Sequence, residues 1–590
     1  MSVPRASLPS VLLRAVGAGA LVGAFESARN GLLTPGEWLQ ALALYAAVLG
    51  AVGFVVGAVL VGAGRFRPGL HWDRSAELVS AAVGLSLSLL VAHAGVATRP
   101  GLPMLVAAVL GLLFGLPILL RVRQRVYAVV LGIGVVAIVA TGAVRLTVAI
   151  ADDRLLDTTF PSSAARDMNV VVILVDSLRP DHLGINGYRR EVSPTLDRMA
   201  TEGRVFRRAT NPGTVANWAT IHASAYPSSH FLDLGRSELA NLSELFRQSG
   251  WSTFGLTSHW AAGAEAGFGR GVDLFRPARR AALGRLSLYY VYTRLLDFLD
   301  RAGALADDAW HYPADRMIDD VLRIATSQRN ENFLVWVHLM DLHIAYHPGP
   351  GYADRFQEDP NRGYRRNPED IRDPDGSLIS GRLENARARY DGALRLVDDQ
   401  LARLTAHLEQ LGIGRKTLIV VTSDHGDAFG QHGLLVHPSD QMYSEIVDVP
   451  LIFHWPGTLE PGILDTPVTT LDILPTLGAL AGAPVPESVE GLDLGCLLRD
   501  LDCAWDREWV FWDGTTLGDG RGPMGVTGRR YRYWEPEGRG PELYDLVEDP
   551  FELVNLASSG LEIEARLAKK LQVFRLERRR AATESLSRLP

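Results

Sequence analysis

The sequence contains very little cysteine and almost no lysine. Its 590 residues include two cysteines, Cys496 and Cys503. Two thiols are too few for a zinc site built from three or four cysteines, and too few for a disulfide-rich scaffold. The three lysines, Lys416, Lys569 and Lys570, leave arginine to supply nearly all of the positive charge.

The charged residues are nearly balanced. The chain has 59 lysines and arginines against 67 aspartates and glutamates, which gives a net charge of −8. This mild acidity argues against a protein that coats nucleic acid, and we expect no nucleic-acid partner. With 47% hydrophobic residues, the composition also excludes collagen-like, coiled-coil and disordered chains.

The first 150 residues are almost entirely apolar or small. The run 39–64 has no charged residue and is long enough to cross ~30 Å of hydrocarbon. Comparable runs, the first of them weaker, occupy residues 9–27, 77–97, 102–120 and 127–150. We therefore predict an all-α transmembrane domain of about five helices over residues 1–152.

Arginine-rich loops indicate the orientation of this bundle. The loops 65–75 and 121–126 carry three arginines each, and loops of this kind stay in the cytoplasm. Everything after residue 150 is then outside the cytoplasm, so we expect a multi-pass cell-membrane protein with an extracytoplasmic domain. The runs have few ionisable groups, which favours an anchor over a transport or sensing role, although both stay open.

The remaining chain alternates between strand and helix patterns. Continuous apolar, β-branched runs at 169–175, 333–338 and 417–422 are typical of strands that are buried on both faces. Apolar residues recur at helical spacing through 389–411. The alternation predicts an α/β sandwich around a central, mostly parallel sheet.

Polar side chains follow each of these strand patterns, where the chemistry of such sheets is found. Asp176 comes after the first run, and Asp424 and His425 come after the third. Because two carboxylates and an imidazole suit a divalent cation, these three residues are candidate metal ligands. His338, Asp341 and His343 end or follow the second run and are further candidates.

Six segments together resemble the sulfatase branch of the alkaline phosphatase superfamily. They occur in the family's order and cover about 168–560. The segments are 169–184 (NVVVILVDSLRPDHLG), 337–346 (VHLMDLHIAY), 390–400 (YDGALRLVDDQ), 422–433 (TSDHGDAFGQHG), 471–482 (LDILPTLGALAG) and 542–557 (ELYDLVEDPFELVNLA).

The resemblance implies a domain organisation. The fold is expected to be an alkaline-phosphatase-like sandwich with a small C-terminal α+β subdomain. The boundaries are a transmembrane domain at 1–152, a linker at 153–167, a catalytic domain at 168–500, the C-terminal subdomain at 501–560 and a helical or flexible tail at 561–590.

The resemblance also implies a nucleophile at Thr214. Type I sulfatases carry a cysteine or serine here, within CxPxR, which is converted to formylglycine. This chain has Thr214, with Ala216 for the proline and Trp218 for the arginine. We therefore expect no formylglycine, and a Thr214 hydroxyl that binds the metal and is activated by it.

The other site residues follow from the same resemblance. Asp176, Asp424 and His425, with Thr214, would bind one divalent ion: manganese, zinc or calcium, with magnesium as a further candidate. His343 would act beside the transferred group as a catalytic residue. His437, His338 and Asp341 are candidate substrate-binding residues.

The function predicted is that of a membrane-anchored metalloenzyme that hydrolyses or transfers a sulfate or phosphate ester. Relatives with about five N-terminal helices suggest an alternative, a phosphoglycerol- or phosphoethanolamine-type transferase that modifies lipids or glycans of the cell envelope. A second alternative is a non-catalytic glycan- or lipid-binding membrane protein. Whether Cys496 and Cys503 pair is left open by the sequence.

Overall fold

A computed structural model describes most of the chain after residue 153. The residues outside the description are 1–153, 214–216, 231–233, 235–237, 260–261, 277–311, 345, 350, 353–354, 357–370, 374–376, 439, 515–521 and 588–590. The predicted transmembrane bundle at 1–152 lies outside the described residues. Within the described part, no helix has both the length and the apolar character needed to cross a bilayer.

The chain divides into two compact units. Met1–Arg154 and Arg280–Ala306 form the first, which lies almost wholly outside the described residues. Leu155–Arg279 and Asp307–Pro590 form the second, to which the elements below belong.

Strands and helices alternate along the second unit. The strands are β1 Asn169–Val175, β2 Arg204–Thr210, β3 Ser252–Thr257, β4 Leu274–Arg276, β5 Phe333–Leu339, β6 Thr417–Thr422, β7 Ala428–Phe429, β8 Leu435–Val436, β9 Asp448–His454, β10 Gly462–Leu464, β11 Val468–Thr469, β12 Val510–Asp513, β13 Met524–Thr527, β14 Tyr531–Glu535 and β15 Glu542–Asp545. The α-helices are α1 Pro194–Glu202, α2 Asn217–Ala223, α3 Pro227–His230, α4 Leu242–Gln248, α5 Ala314–Ser327, α6 Ser380–Gln410, α7 Ser444–Val447, α8 Ile473–Ala481, α9 Gly495–Arg499 and α10 Glu562–Ser587.

A nine-stranded mixed sheet forms the centre of this unit. Its order is β10-β2-β9-β6-β1-β5-β3-β4, and β11 also pairs with β2. Strand β9 runs antiparallel to its neighbours β2 and β6, whereas the other pairings of this sheet are parallel. The prediction of a mostly parallel central sheet in an α/β fold is therefore confirmed.

Strand β1 lies near the middle of the sheet and contributes to both of its cores. Val171 and Ile173 face the core that is covered by α5 and α6, and Val170 and Val172 face the core that contains residues of α2 and α8. Each of these side chains is at most 3% exposed. Burying a valine or isoleucine contributes roughly 1.5–3 kcal/mol, which explains the uninterrupted apolar run that the sequence shows.

A second, antiparallel sheet follows in the C-terminal part, in the order β12-β13-β14-β15. Trp512 and Trp534 lie on one face and pack against residues around α7. Val526 and Leu543 lie on the other face and pack against α10. Within residues 561–590, expected to be a helical or flexible tail, Glu562–Ser587 thus form α10, and the buried face of this helix completes the small core.

A buried arginine joins the two sheets. Arg532 on β14 is fully buried. Its guanidinium donates to Asp448, the first residue of β9, to Glu552 at 3.0 Å, to Ser444 at 2.8 Å and to Thr527 at 3.1 Å. Since a buried cation is tolerated only when its partners neutralise it, these contacts fix β14 against β9.

The two cysteines of the chain form a disulfide. Cys496 in α9 is bonded to Cys503, with their Cα atoms 5.9 Å apart. The structure therefore decides the pairing that the sequence left open.

We predict that Arg532→Met destabilises the protein by about 3–5 kcal/mol, because Glu552 then loses its arginine partner and Asp448 keeps only the partly exposed Arg208 at 3.2 Å. Thermal unfolding followed by tryptophan fluorescence measures this change, since Trp512 and Trp534 lie in the adjoining core. Arg530→Ala is the control. Its side chain is 54% exposed and pairs with Asp545 at 2.8 Å, so its loss should leave the unfolding temperature nearly unchanged. Equal effects of the two substitutions would contradict the prediction.

Candidate active site

Three adjacent parallel strands bring polar side chains to one edge of the central sheet. Leu174 on β1 is in register with His338 on β5 and with Thr422 on β6. Asp176 and Asp424 each follow two residues later, so both carboxylates emerge next to His338. The parallel register is thus what places these three side chains together.

These groups form a compact, buried cluster. Ligand atoms of Asp176, His338 and Asp424 all lie within 4.8 Å of one another. His338 Nε2 is 3.3 Å from Asp176 Oδ2. His425 Nε2 is 3.8 Å from Asp176 Oδ1 and 3.7 Å from Asp424 Oδ2. The four side chains together offer two carboxylates and two imidazoles to one small volume.

The two carboxylates differ in how readily they ionise. Burial raises the pKa of Asp176, but His343, His338 and His425 outweigh that effect and hold its pKa well below the usual value. Burial, and then the charge of Asp176, raise the pKa of Asp424 to about 7. Burial also lowers the pKa of His425 to about 4, which keeps its imidazole neutral and able to ligate.

The donor set fits a divalent cation. Asp176 and Asp424 are each 1% exposed, and among the described residues neither forms an ion pair with arginine or lysine. Two buried carboxylates without a basic partner need a proton or a metal ion between them. Carboxylate oxygens with neutral imidazoles are ligands of the common divalent ions.

The turn after β1 is held in an uncommon backbone conformation. Ser177 has φ 61°, a region that non-glycine residues rarely adopt. Its amide lies 3.4 Å from Asp424 Oδ1, and its carbonyl accepts a 2.8 Å hydrogen bond from the Tyr390 hydroxyl. The next amide, of Leu178, donates to Ser423 Oγ at 2.8 Å. These bonds fix the turns after β1 and β6 to each other.

The segment before α2 is fastened to the same place. Asn217 Nδ2 donates to the backbone carbonyl of Gly213 at 2.6 Å and to that of Asp424 at 2.8 Å. A Cβ at Gly213 would lie 2.4 Å from the Pro227 ring, so only glycine fits. Thr214 itself lies outside the described residues, but the residues on both sides of 214–216 are anchored at the carboxylate cluster.

A second cluster adjoins the first. The His437 ring stacks on the His425 ring with centroids 4.0 Å apart, and its Nδ1 is 2.5 Å from Asp427 Oδ1. The Tyr346 hydroxyl donates to Asp427 Oδ2 at 3.0 Å. Although burial lowers the pKa of His437, Asp427 raises it to about 9, so the imidazole carries a positive charge at neutral pH.

The remaining predicted site residues lie in different surroundings. The His343 ring centroid is 5.2 Å from that of His437, so this histidine borders the second cluster. Asp341 Oδ1 accepts a 3.1 Å hydrogen bond from the Ala314 amide at the start of α5. The structure therefore brings Asp176, Asp424, His425, His338, His437 and His343 together, and gives Asp341 a contact with a helix terminus.

Three residues near the site were not assigned a role from the sequence. Asp427 stands in the quoted TSDHGD segment, which was a usable signal. Asn217 acts through a tertiary contact that no local pattern shows. His259 follows β3, whose single glycine and three hydroxyl residues hide the strand; its ring stacks on that of His338 at 5.6 Å.

The chain matches the profiles of two known protein families. The profile of the family described as Sulfatase matches residues 168–483, more than half of the chain. The profile described as N-sulphoglucosamine sulphohydrolase, C-terminal, matches residues 430–577. The two matches together cover both sheets and the first part of α10.

Individual proteins resemble this chain in sequence or in fold. An arylsulfatase of Clostridium perfringens is 27% identical over 461 residues, which are 70% of this chain and 95% of the relative. An ulvan-active sulfatase of Formosa agariphila is 24% identical and covers 68% of this chain and 81% of its own length. The phosphonate monoester hydrolase of Agrobacterium radiobacter has a similar fold, with a TM-score of 0.52, 21% identity, and coverage of 70% of this chain and 96% of its own.

These comparisons confirm the alkaline-phosphatase-like α/β fold and correct one expectation. The prediction of a site without formylglycine is wrong, because the matched relatives include arylsulfatases, which use formylglycine together with a divalent metal. The prediction rested on Thr214, Ala216 and Trp218, which stand where the CxPxR pattern is expected, and these positions were too narrow a basis for it.

We predict that Asp427→Asn shifts the alkaline limb of the pH–activity profile to lower pH. The carboxylate of Asp427 raises the pKa of His437, so the imidazolium is present below that pKa and lost as the pH rises through it. Removing this charge should move the limb of kcat/KM down by about one to three pH units. Tyr346→Phe, which leaves the Asp427 charge in place, should not move it. An unchanged limb in Asp427→Asn would show that His437 does not set it.

Proposed function

The chain belongs to the sulfatase family of the alkaline phosphatase superfamily, whose members hydrolyse sulfate or phosphate esters, and from this premise we propose that it is a metal-dependent sulfatase of glycans. The observation that carries the proposal is the buried pair Asp176 and Asp424, which has no arginine or lysine partner among the described residues and has only histidines beside it. Such a pair needs a cation, and the family's reaction uses one.

We assign the metal to Asp176, Asp424 and His425, which are three of the four ligands that the sequence predicts; the fourth is Thr214. When bound there, a divalent cation supplies positive charge to the ester oxygens and lowers the pKa of a hydroxyl that it contacts. The turns after β1 and β6 hold these ligands rigidly, because Ser177 and Leu178 are bonded to the Asp424 segment. Rigid ligands reduce the reorganisation that binding and reaction would otherwise require.

His437 and His343 are proposed to act on the ester itself. His437 is positively charged at neutral pH and is held by Asp427, so it can donate a hydrogen bond to an ester oxygen. His343 lies beside it and is proposed to hydrogen-bond or protonate the leaving oxygen. His437 then contacts an ester oxygen, and His343 contacts the oxygen that leaves when the bond breaks.

Position 214 is proposed to supply the nucleophile. Asn217 anchors the adjacent segment to the carbonyl of Asp424, which is the support for this assignment. The residue encoded there is threonine, and both cysteines of the chain are engaged in the Cys496–Cys503 disulfide.

The substrate proposed is a sulfated glycan. Support comes from the relatives, one of which is a sulfatase active on ulvan. The likeness in fold to a phosphonate monoester hydrolase makes a phosphorus ester the natural comparison substrate.

We further propose that the apolar runs in 1–152 anchor the enzyme in the cell membrane, with the catalytic unit outside the cytoplasm. The arginine-rich loops support this orientation. The Cys496–Cys503 disulfide supports it independently, because disulfides persist in oxidising compartments and are rare in the cytosol.

Removal of the metal should abolish turnover. We predict that a chelator stops hydrolysis of a chromogenic sulfate ester by full-length enzyme in detergent, and that adding back a divalent ion restores it. Asp176→Asn should lower both metal content and kcat/KM. Asp167→Asn, at a side chain that is 81% exposed and paired with Lys416, is the matched control. Full activity in the chelator would contradict the proposed function, and faster cleavage of a phosphodiester would reassign the substrate.

Thr214→Ala should reduce kcat on the order of 10³-fold or more, as expected for loss of a nucleophile. Thr210→Val, which removes a buried hydroxyl a few residues earlier, should leave kcat nearly unchanged. Mass spectrometry of the tryptic peptide that contains residue 214 will show whether the threonine is unmodified. Activity retained in Thr214→Ala would place the nucleophile elsewhere.

Protease added to intact spheroplasts should cleave the catalytic unit, and alkaline carbonate should leave the full-length chain in the membrane pellet. Both results follow from spans that end before residue 153. Protection of the catalytic unit from protease would contradict the proposed orientation, and extraction by carbonate would contradict the proposed anchor.

A further inference from the structure

His338 is a buried histidine with no adequate hydrogen bond. It is 1% exposed, and neither ring nitrogen has a hydrogen-bond partner of good geometry among the described residues. An unsatisfied buried polar group costs roughly 1–3 kcal/mol. A residue that keeps this cost in a tightly packed strand needs a partner that the protein atoms do not provide.

The position of His338 suits an ion shared with the carboxylates. Its Nε2 lies 3.3 Å from Asp176 Oδ2, and the ligand atoms of Asp176, His338 and Asp424 lie within 4.8 Å of one another. Two ligands that are about 2.1 Å from one ion at a tetrahedral angle lie about 3.4 Å apart. The observed 3.3 Å separation is therefore the spacing expected of two atoms that bind the same ion.

A neighbouring ring fixes the orientation of His338. The His259 ring stacks on it with centroids 5.6 Å apart and planes 7° from parallel. Because strand β5 fixes the backbone and His259 limits ring rotation, Nε2 stays directed at Asp176. A merely space-filling histidine would not need to be aligned in this way.

We propose that His338 is a fourth protein ligand of the metal, in addition to Asp176, Asp424 and His425, and that the site consequently prefers zinc or manganese to calcium or magnesium. This inference rests on the proposed function. It replaces the expectation that His338 binds substrate. Carboxylates alone suit calcium and magnesium, whereas a second imidazole shifts the preference toward transition ions.

The test measures metal binding rather than activity. Metal-free full-length protein in detergent is titrated with Zn²⁺, Mn²⁺ and Ca²⁺ by calorimetry, for wild type, His338→Gln and His454→Gln. We expect His338→Gln to weaken zinc binding at least tenfold, to change calcium binding less, and to leave the protein folded by circular dichroism. His454, a buried histidine on β9 that contacts Glu202 at 3.4 Å, is the matched control and should bind zinc like wild type.

Pulsed electron paramagnetic resonance of the Mn²⁺-loaded protein counts the imidazole nitrogens that are bound to the ion. Wild type should show two coupled imidazole nitrogens and His338→Gln one. If His338→Gln does not fold, His338→Asp serves instead, since a carboxylate in place of the imidazole should shift the preference from zinc toward calcium.

The outcomes separate this inference from the function on which it rests. Two coupled nitrogens in His338→Gln, or unchanged zinc affinity, would overturn the assignment of His338 and leave the sulfatase proposal intact. An unchanged ratio of zinc affinity to calcium affinity in His338→Asp would overturn it as well. Failure of wild type to bind any of the three ions would overturn both.

Discussion

The repulsion between two buried carboxylates is the constraint on which the site depends. Asp176 and Asp424 approach within 4.8 Å at the end of adjacent strands. At an effective dielectric of about 20, two negative charges at that distance repel each other by about 3.5 kcal/mol. The imidazoles of His338 and His425 lie beside the pair. An uncharged imidazole does not neutralise the two negative charges. The site is therefore built to hold a positive ion.

The rest of the unit keeps these charges in position. Strand β1 is buried on both faces, so it cannot tilt away from β5 and β6 without exposing either core. The turns beyond β1 and β6 are bonded to each other through Ser423, and Tyr390 of α6 holds the turn after β1. Free energy gained by burying apolar side chains thus holds a polar arrangement that would not persist by itself.

The sequence predicts most of the frame because its signals are local. Uninterrupted β-branched runs identify β1, β5 and β6, and the polar residues that follow them identify the edge where the site lies. Strand β9 is antiparallel to its neighbours, and no local pattern encodes the direction of a strand. The contact between His437 and Asp427 is likewise a tertiary contact across a loop, which no local pattern encodes.

An argument from one short motif proved weaker than an argument from six segments. Thr214, Ala216 and Trp218, in place of CxPxR, led to an expectation about formylglycine that the relatives contradict, whereas the six segments taken together identified the family correctly. A residue type reports its own chemistry, but a role in a site depends on neighbours that come from distant parts of the chain. Asp341, which follows β5 but contacts the start of α5, shows the same point.

The contact between Arg532 and Asp448 has a consequence for how the chain can change over evolutionary time. Asp448 begins a strand of the central sheet, yet the fully buried cation that it contacts belongs to the C-terminal sheet, and its other partner, Arg208 on β2, is partly exposed. A recombination event between the two sheets would take one of two partners from Asp448 and one of two from Arg532. Inheritance of the two sheets as a pair is therefore favoured, and a sequence change at one position of this contact favours a matching change at the other.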